Sequence, residues 1–448
     1  MTLYFHAMPT AEAIPPTTDP LLQKARAIAR AASERGGRAL LVGGYVRDEL
    51  LGLTPKDADL EVYGIEAGAL REMLRRFGRV DCVGESFRVY KLVWHHRAGT
   101  GSTQRHELDV SLPRRDKKIG AGHRGFEVEG DPHATVEDAA RRRDFTLNAI
   151  LRDPFSDELI DPFDGRRDLE NRVLRAVDAA HFGEDPLRVL RAAQFAARFE
   201  MTIEPATLEL CRSIALDDLP KERIWGEWEK LLLKAARPSF GILAADELGI
   251  LDKLFPAVGQ AVRRRGFNLC AALDRAAIEK SGLEYEKQVT LMLAVLGCFL
   301  GKPYLEQLLD ALGIYTLRRY DVRRQTIVLS GERNRVAQWF ARRDEITDKD
   351  FRYLSARCEP RLLHRLARSR GDFEAAEWFL TRMENLGVAD GPPAPLLMGR
   401  HLLEMGLTPG PQIGQITQAV YAQQLAGEVT SLDEALAAAR RLLGNFEF

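Results

Sequence analysis

Residues 41–48 read Leu-Val-Gly-Gly-Tyr-Val-Arg-Asp, and nine residues further on comes Asp57-Ala58-Asp59. The run 38–42 has the apolar continuity of a buried strand, 45–52 that of a short helix and 58–63 that of a second strand. A chain that passes from strand to helix through Gly43-Gly44 must turn tightly there. Glycine lets its backbone approach a large anion, and the N–H groups opening the helix attract one. Residues two apart on a strand face the same side, so Asp57 and Asp59 project together. Adjacent carboxylates repel unless a cation lies between them, and Mg²⁺ takes one or two carboxylates and completes its shell with substrate phosphates. A lone Gly-Gly is ordinarily a turn, and a lone D-x-D a solvated strand face. In this order the pieces explain one another as a site for metal-assisted phosphoryl or nucleotidyl transfer.

A chain of 448 residues is long enough for two to four domains. Its formal net charge of −1 excludes a uniformly basic nucleic-acid binder, so any such contact must come from local patches. Cys82, Cys211, Cys270, Cys298 and Cys358 show no paired spacing, which fits reduced thiols and a cytoplasmic setting. No apolar run approaches the length of a membrane span. Residues 1–20, rich in proline and threonine, read as a flexible leader. From 21 to 160 strand-like and helical runs alternate, which predicts an α/β unit; beyond 161 the pattern is almost wholly helical, including 186–199, 206–213 and 222–234. Residues 317–370 carry fifteen Lys/Arg against seven Asp/Glu. That density suits either a solvated helical face or a surface for a phosphate backbone.

Four further segments carry chemistry. Glu107-Leu-Asp109 lies on a strand-like run, so either acid could add a third carboxylate or act as a base for a sugar hydroxyl; the alternative is an exposed strand edge. Arg141-Arg-Arg143-Asp144-Phe-Thr-Leu-Asn148 joins a basic cluster to an acid and an amide. Arginine clamps phosphate while Asp and Asn hold ribose hydroxyls, unless the segment is simply a charged helix start capped by Asp144. Asp161-Pro-Phe-Asp-Gly165-Arg-Arg-Asp168 has the composition of a structural turn at a hinge. Glu184-Asp185-Pro-Leu-Arg188-Val-Leu-Arg191 puts Asp185, Arg188 and Arg191 at helical spacings. These could be intrahelical ion pairs, or Asp and Arg side chains mimicking a base edge and choosing an incoming base without a template.

Taken in order, these blocks resemble the class II tRNA nucleotidyltransferase and bacterial poly(A) polymerase family, among the polymerase-β-like nucleotidyltransferases. The matching residues are Gly43 to Asp59, Arg142 to Ala149, Asp161 to Leu169, Glu184 to Arg188, Glu222 to Trp225 and the tail segment 398–414. The resemblance implies an α+β protein: a polymerase-β-like nucleotidyltransferase α/β head (21–160), then an all-α neck (161–258), body (259–375) and tail (376–448). It implies addition of CMP and AMP from CTP and ATP to the 3′ end of tRNA, with Mg²⁺ on Asp57 and Asp59 and assistance from Asp109. Gly43, Gly44, Arg47, Ser86 (in the stretch Gly84-Glu-Ser86-Phe87), Arg143, Asp144 and Asn148 would contact the nucleotide, and Glu184, Asp185, Arg188 and Arg191 the base. Residues 114–140 resemble the flexible loop of enzymes that add the terminal A. Many relatives carry a metal-dependent HD phosphohydrolase module, but here Asn268, Cys298 and Phe299 stand where His, His and Asp would be expected. Phenylalanine cannot ligate a metal, so no hydrolase activity is expected. An enzyme adding only A, a poly(A) polymerase and a catalytically dead tRNA-binding protein are the rival readings. Monomer and homodimer both remain open.

Overall fold

The computed structural model describes residues 19–83, 89–97, 103–118 and 126–444, and its chain contacts divide it into two units, residues 1–216 and 217–448. The first unit opens with helix α1 (Pro20–Ser33), started by Pro20 and by Asp19, whose carboxylate accepts the Leu21 N–H at 2.9 Å. Leu22, Ala25, Ile28, Ala29 and Ala32 form its buried stripe. Strand β1 (Arg38–Val42) follows, then α2 (Gly44–Leu50), β2 (Asp59–Tyr63), α3 (Ala67–Leu74), β3 (Arg79–Val83), β4 (Val89–Arg97) and β5 (Thr103–Ser111). A separate antiparallel pair, β6 (Arg114–Lys118) and β7 (Phe126–Gly130), precedes α4 (Val136–Arg141). This pair lies within residues 114–140, the segment expected to be a loop. The short strands β8 (Leu151–Arg152) and β9 (Leu159–Ile160) complete a seven-stranded mixed sheet in the order β3-β4-β5-β2-β1-β8-β9.

Within this sheet β1 and β2 are central and run antiparallel, while β2 and β5 are parallel. The continuous apolar character of β1 follows from this position: Ala39, Leu40, Leu41 and Val42 are all buried. The parallel pairing sets Asp59 directly opposite Asp109. Beyond the sheet come α5 (Gly165–Glu170), α6 (Ala179–Phe182), α7 (Leu187–Phe199) and α8 (Pro205–Ser213). The second unit is helical in all its regular elements among the described residues. Its central helices 256–279, 285–299 and 360–370 bury Leu269, Leu273, Leu291, Leu293, Leu363 and Leu366. All five cysteines are free, and no described helix is long and apolar enough to cross a membrane. Residues 1–18 of the expected leader, Ser86 and the rest of 84–88 lie outside the described residues.

Candidate active site

Gly43 takes φ 68°, a region L side chains rarely adopt, and so permits the sharp exit from β1 into α2. A Cβ placed on Gly43 would come 3.0 Å from the Arg143 guanidinium, so the missing side chain also leaves room for that cation beside the turn. Helix α2 is only seven residues long, which makes Arg143 the larger source of positive field here. Asp57 and Asp59 flank buried Ala58 and both reach solvent, as expected for one face of an extended segment. Asp57 itself lies just outside β2.

Protein packed around Asp59 desolvates its carboxyl and raises its pKa. Arg143 opposes this, and the charges of Asp109, Asp57 and Glu61 push the same way as burial. Glu61 continues the period-two face after Asp57 and Asp59. It is buried, accepts the Tyr63 hydroxyl at 2.7 Å and lies 3.7 Å from Arg143. Sequence reading passed over it, although the unbroken alternation was its signal. Glu107 is held by Lys91 at 3.0 Å and Arg105 at 2.6 Å, whereas Asp109 stands beside Asp59 with Lys91 4.0 Å away. Of the two acids, Asp109 is therefore the one in the electrostatic neighbourhood of Asp59.

Arg143 has a buried Nε without a hydrogen-bond partner. An unpaired buried donor calls for an acceptor that arrives from outside the chain, and beside a glycine turn a phosphate oxygen has the right charge. Among the described residues no three His, Cys, Asp or Glu side chains close into a metal-binding cluster. Asp57 and Asp59 instead form an open carboxylate pair. Such a pair suits Mg²⁺, which keeps several waters and takes substrate oxygens for the rest of its shell.

Behind these groups lies a buried polar chain. The Arg47 guanidinium donates to Asn148 Oδ1 at 2.7 Å and to Asp48 Oδ1 at 2.5 and 2.8 Å, and lies over the Phe195 and Phe199 rings. Asn148 Nδ2 donates to Asp144 Oδ1 at 2.8 Å, which also accepts the Phe145 N–H. Arg191 Nε lies 2.6 Å from Asp144 Oδ2. Burial would raise the Asp144 pKa, but Arg191, Asn148, the Phe145 N–H and Arg188 together hold it below the ordinary value. Arg188 donates to the carbonyls of Arg142 at 2.7 Å and His181 at 3.0 Å. Burial lowers its pKa, with Asp144, Asp185 and Glu184 opposing. Asp185 caps the Leu187 N–H at 3.1 Å. Arg188 and Arg191 thus reach from α7 to the Arg142–Asn148 segment, and Arg47 is turned inward.

The 161–168 turn locks this arrangement. Asp161 accepts the Gly165 and Arg166 N–H groups at 2.8 and 2.9 Å, and buried Asp168 accepts the Thr146 hydroxyl at 2.7 Å. A Cβ on Gly165 would fall 2.2 Å from the Thr146 carbonyl oxygen. Only glycine allows α5 to approach the Thr146–Asn148 turn so closely.

In the second unit, Asp274 accepts both the Ser239 N–H at 3.0 Å and its hydroxyl at 2.7 Å. Burial pushes the Cys298 thiol up to about 11, and it neighbours Arg370, Arg333 and Asp372. A neutral buried thiol is a poor metal ligand.

Residues 39–175 match the family described as Poly A polymerase head domain, and residues 200–261 the family described as Probable RNA and SrmB- binding site of polymerase A. The chain is 41% identical over 223 residues to the Multifunctional CCA protein of Xanthomonas campestris pv. campestris (strain B100), a match covering 48% of this chain and 50% of that protein. It spans about half the length of the curated relatives it matches. Its fold is that of the Bacillus stearothermophilus CCA-adding enzyme in complex with CTP (TM-score 0.68, 22% identity, covering 96% of this chain and 99% of that one). The Thermotoga maritima CCA-adding enzyme complexed with tRNA shares it too (TM-score 0.63, 23% identity, 95% and 96% covered).

Proposed function

We propose that this chain, a member through residues 39–175 of the poly A polymerase head-domain family, is a CCA-adding tRNA nucleotidyltransferase. The observation that supports the reading is the register that pairs Asp59 with Asp109, with the Asp57 charge bearing on Asp59 and the unpaired Arg143 Nε beside the Gly43 turn. Arg143 binds the triphosphate, and Gly43-Gly44 gives it room. Asp109 accepts the proton of the tRNA 3′-hydroxyl as that oxygen bonds to the α-phosphorus; the bond to the bridging oxygen breaks and pyrophosphate leaves. Asp57 and Asp59 would hold Mg²⁺, which would neutralise charge developing on the reacting oxygens. Asp185 and Arg188 read the base edge of CTP or ATP, Glu184 tunes Arg188, and Asp144 with Arg191 fixes the distance between base reader and phosphate clamp. Asn148 and Arg47 serve as the scaffold of that chain of contacts. The relatives, which include a Multifunctional CCA protein and CCA-adding enzymes with CTP and with tRNA, support the same substrates. The setting proposed is the cytoplasm, and residues 259–375 are proposed to keep the packing of an HD module without its hydrolase chemistry.

The test offers labelled CTP or ATP separately to tRNA transcripts ending before CCA, after C and after CC. The expected result is C addition to the first two and A addition to the third, in the presence of Mg²⁺ and without phosphate release from phosphomonoesters. Extension of the CC-ended transcript alone would make this an A-adding enzyme. Long A tracts on any RNA end would make it a poly(A) polymerase.

A further inference from the structure

Six described non-glycine residues have positive φ, and only Arg318 (φ 47°) and Arg319 (φ 69°) are consecutive. They are the two central residues of a tight hairpin turn. Leu317 N donates to the Tyr320 carbonyl at 2.9 Å and Tyr320 N to the Leu317 carbonyl at 2.7 Å, closing the turn through backbone alone. Positive φ at both central positions is the type I′ pattern, for which Asn-Gly is the favoured pair. Two arginines hold this conformation at a steric cost that the turn itself does not require.

Their side chains point the cost toward solvent. Arg318 is 72% exposed and lies over the Tyr285 ring at 5.0 Å, with Glu286 no closer than 4.0 Å. Arg319 is exposed and has no ion-pair or hydrogen-bond partner among the described residues. Exposed Arg324 is likewise without a side-chain partner among them, whereas Tyr315, 51% exposed, carries Arg323 over its ring at 5.5 Å and donates its hydroxyl to Asp310 at 3.3 Å. Tyr285, under Arg318, lies in the electrostatic neighbourhood of Glu229 and Trp225, which belong to the segment matched by the polymerase A RNA-binding-site family. The turn is therefore a cationic extension of that segment within the same unit.

We infer that the Arg318-Arg319 turn is a contact for the phosphate backbone of the RNA acceptor, with exposed Arg324 a further cation of the same stretch of chain. The turn presents two exposed guanidinium groups, Arg319 with no partner among the described residues and Arg318 with Glu286 no closer than 4.0 Å, and a polyanion is the partner that such weakly compensated cations recognise. The inference rests on the tRNA reading above.

Its test is the binding of a labelled tRNA transcript to the full chain over a salt series, together with thermal unfolding. Arg318→Asn with Arg319→Gly keeps the turn and removes both charges. It is expected to weaken binding roughly tenfold and to reduce the slope of log K against log salt by about two, one for each lost phosphate contact. The unfolding midpoint is expected to stay or rise, because Asn-Gly suits the backbone. Arg319→Gln alone is expected to reduce the slope by about one, and lysine at both positions to retain most of it. Unchanged affinity and slope in the Asn-Gly variant, with the unaltered chain binding tRNA, would overturn the inference and leave the proposed function standing. No tRNA binding by the unaltered chain would overturn both.

Discussion

The head and the helical unit handle charge in opposite ways. In the helical unit buried Glu279 is met by Arg368 Nε at 2.7 Å and Arg365 at 3.4 Å, and buried Glu332 by Arg335 at 2.6 Å and Arg357 at 3.0 Å. Each acid is matched by two cations, which fastens helix 256–279 to helix 360–370 and ties 335–341 to the end of 322–331. In the head, Asp57, Asp59, Glu61 and Asp109 crowd one another, with Arg143 as the opposing cation that bears on Asp59. Crowded like charges lower stability. A fold retains them where an incoming ligand, a cation or a phosphate, completes the balance.

Removing one acid from each region is the sharpest way to break this comparison. Asp57→Ala or Asp59→Ala is expected to cut nucleotide incorporation by about 10³-fold or more while tRNA affinity and the unfolding midpoint stay close to those of the unaltered chain. Retained turnover in single-turnover assays would remove these acids from the chemistry. Glu279→Ala reverses the pattern. It removes the carboxylate from two guanidinium groups, leaving Arg368 its Glu377 partner and Arg365 the residue-279 carbonyl, and is expected to cost about 2 kcal/mol in denaturant unfolding, with the rate per folded molecule unchanged. A mutant that unfolds normally would show that this pairing adds no net stability.

The smallest effect tests the crowding itself. The raised pKa of Asp59 means that in the metal-free protein it takes up a proton at a higher pH than an ordinary Asp, near 3.9. Asp109→Asn removes one of the charges raising it and should lower its midpoint, read by carboxyl NMR titration without metal. A midpoint that stays in place would show that Asp59 does not feel Asp109. Asp144 has the opposite sign. Its pKa is depressed, so its stabilisation is fully present above the unfolded Asp value and is lost as pH falls through the lower folded value.

Much of the fold was legible in local pattern. The strands expected at 38–42 and 58–63 are Arg38–Val42 and Asp59–Tyr63, and the helix expected at 186–199 is Leu187–Phe199. Runs of buried side chains write their period into the sequence, because each element must hide one face. Charge is harder to read. The excess of cations in 317–370 is met in part by acids from outside it: Asp310 with Arg323, Glu279 with Arg365 and Arg368, and Glu384 and Asp390 with Arg361. Linear counting cannot see such partners, so the segment is less cationic as a surface than as a sequence.

The sequence by itself determined the paired acids, the glycine turn and the succession of an α/β head by helices, since these depend on residue type and on spacings of two to four residues. Tertiary structure alone decided that Asp109 rather than Glu107 stands beside Asp59, because that follows from the register of a parallel strand pair fifty residues apart. It also decided that Arg47 turns inward to Asn148 while Arg191 crosses to Asp144. A side chain's partner is set by what packs against it, and residues distant in the chain supply that partner.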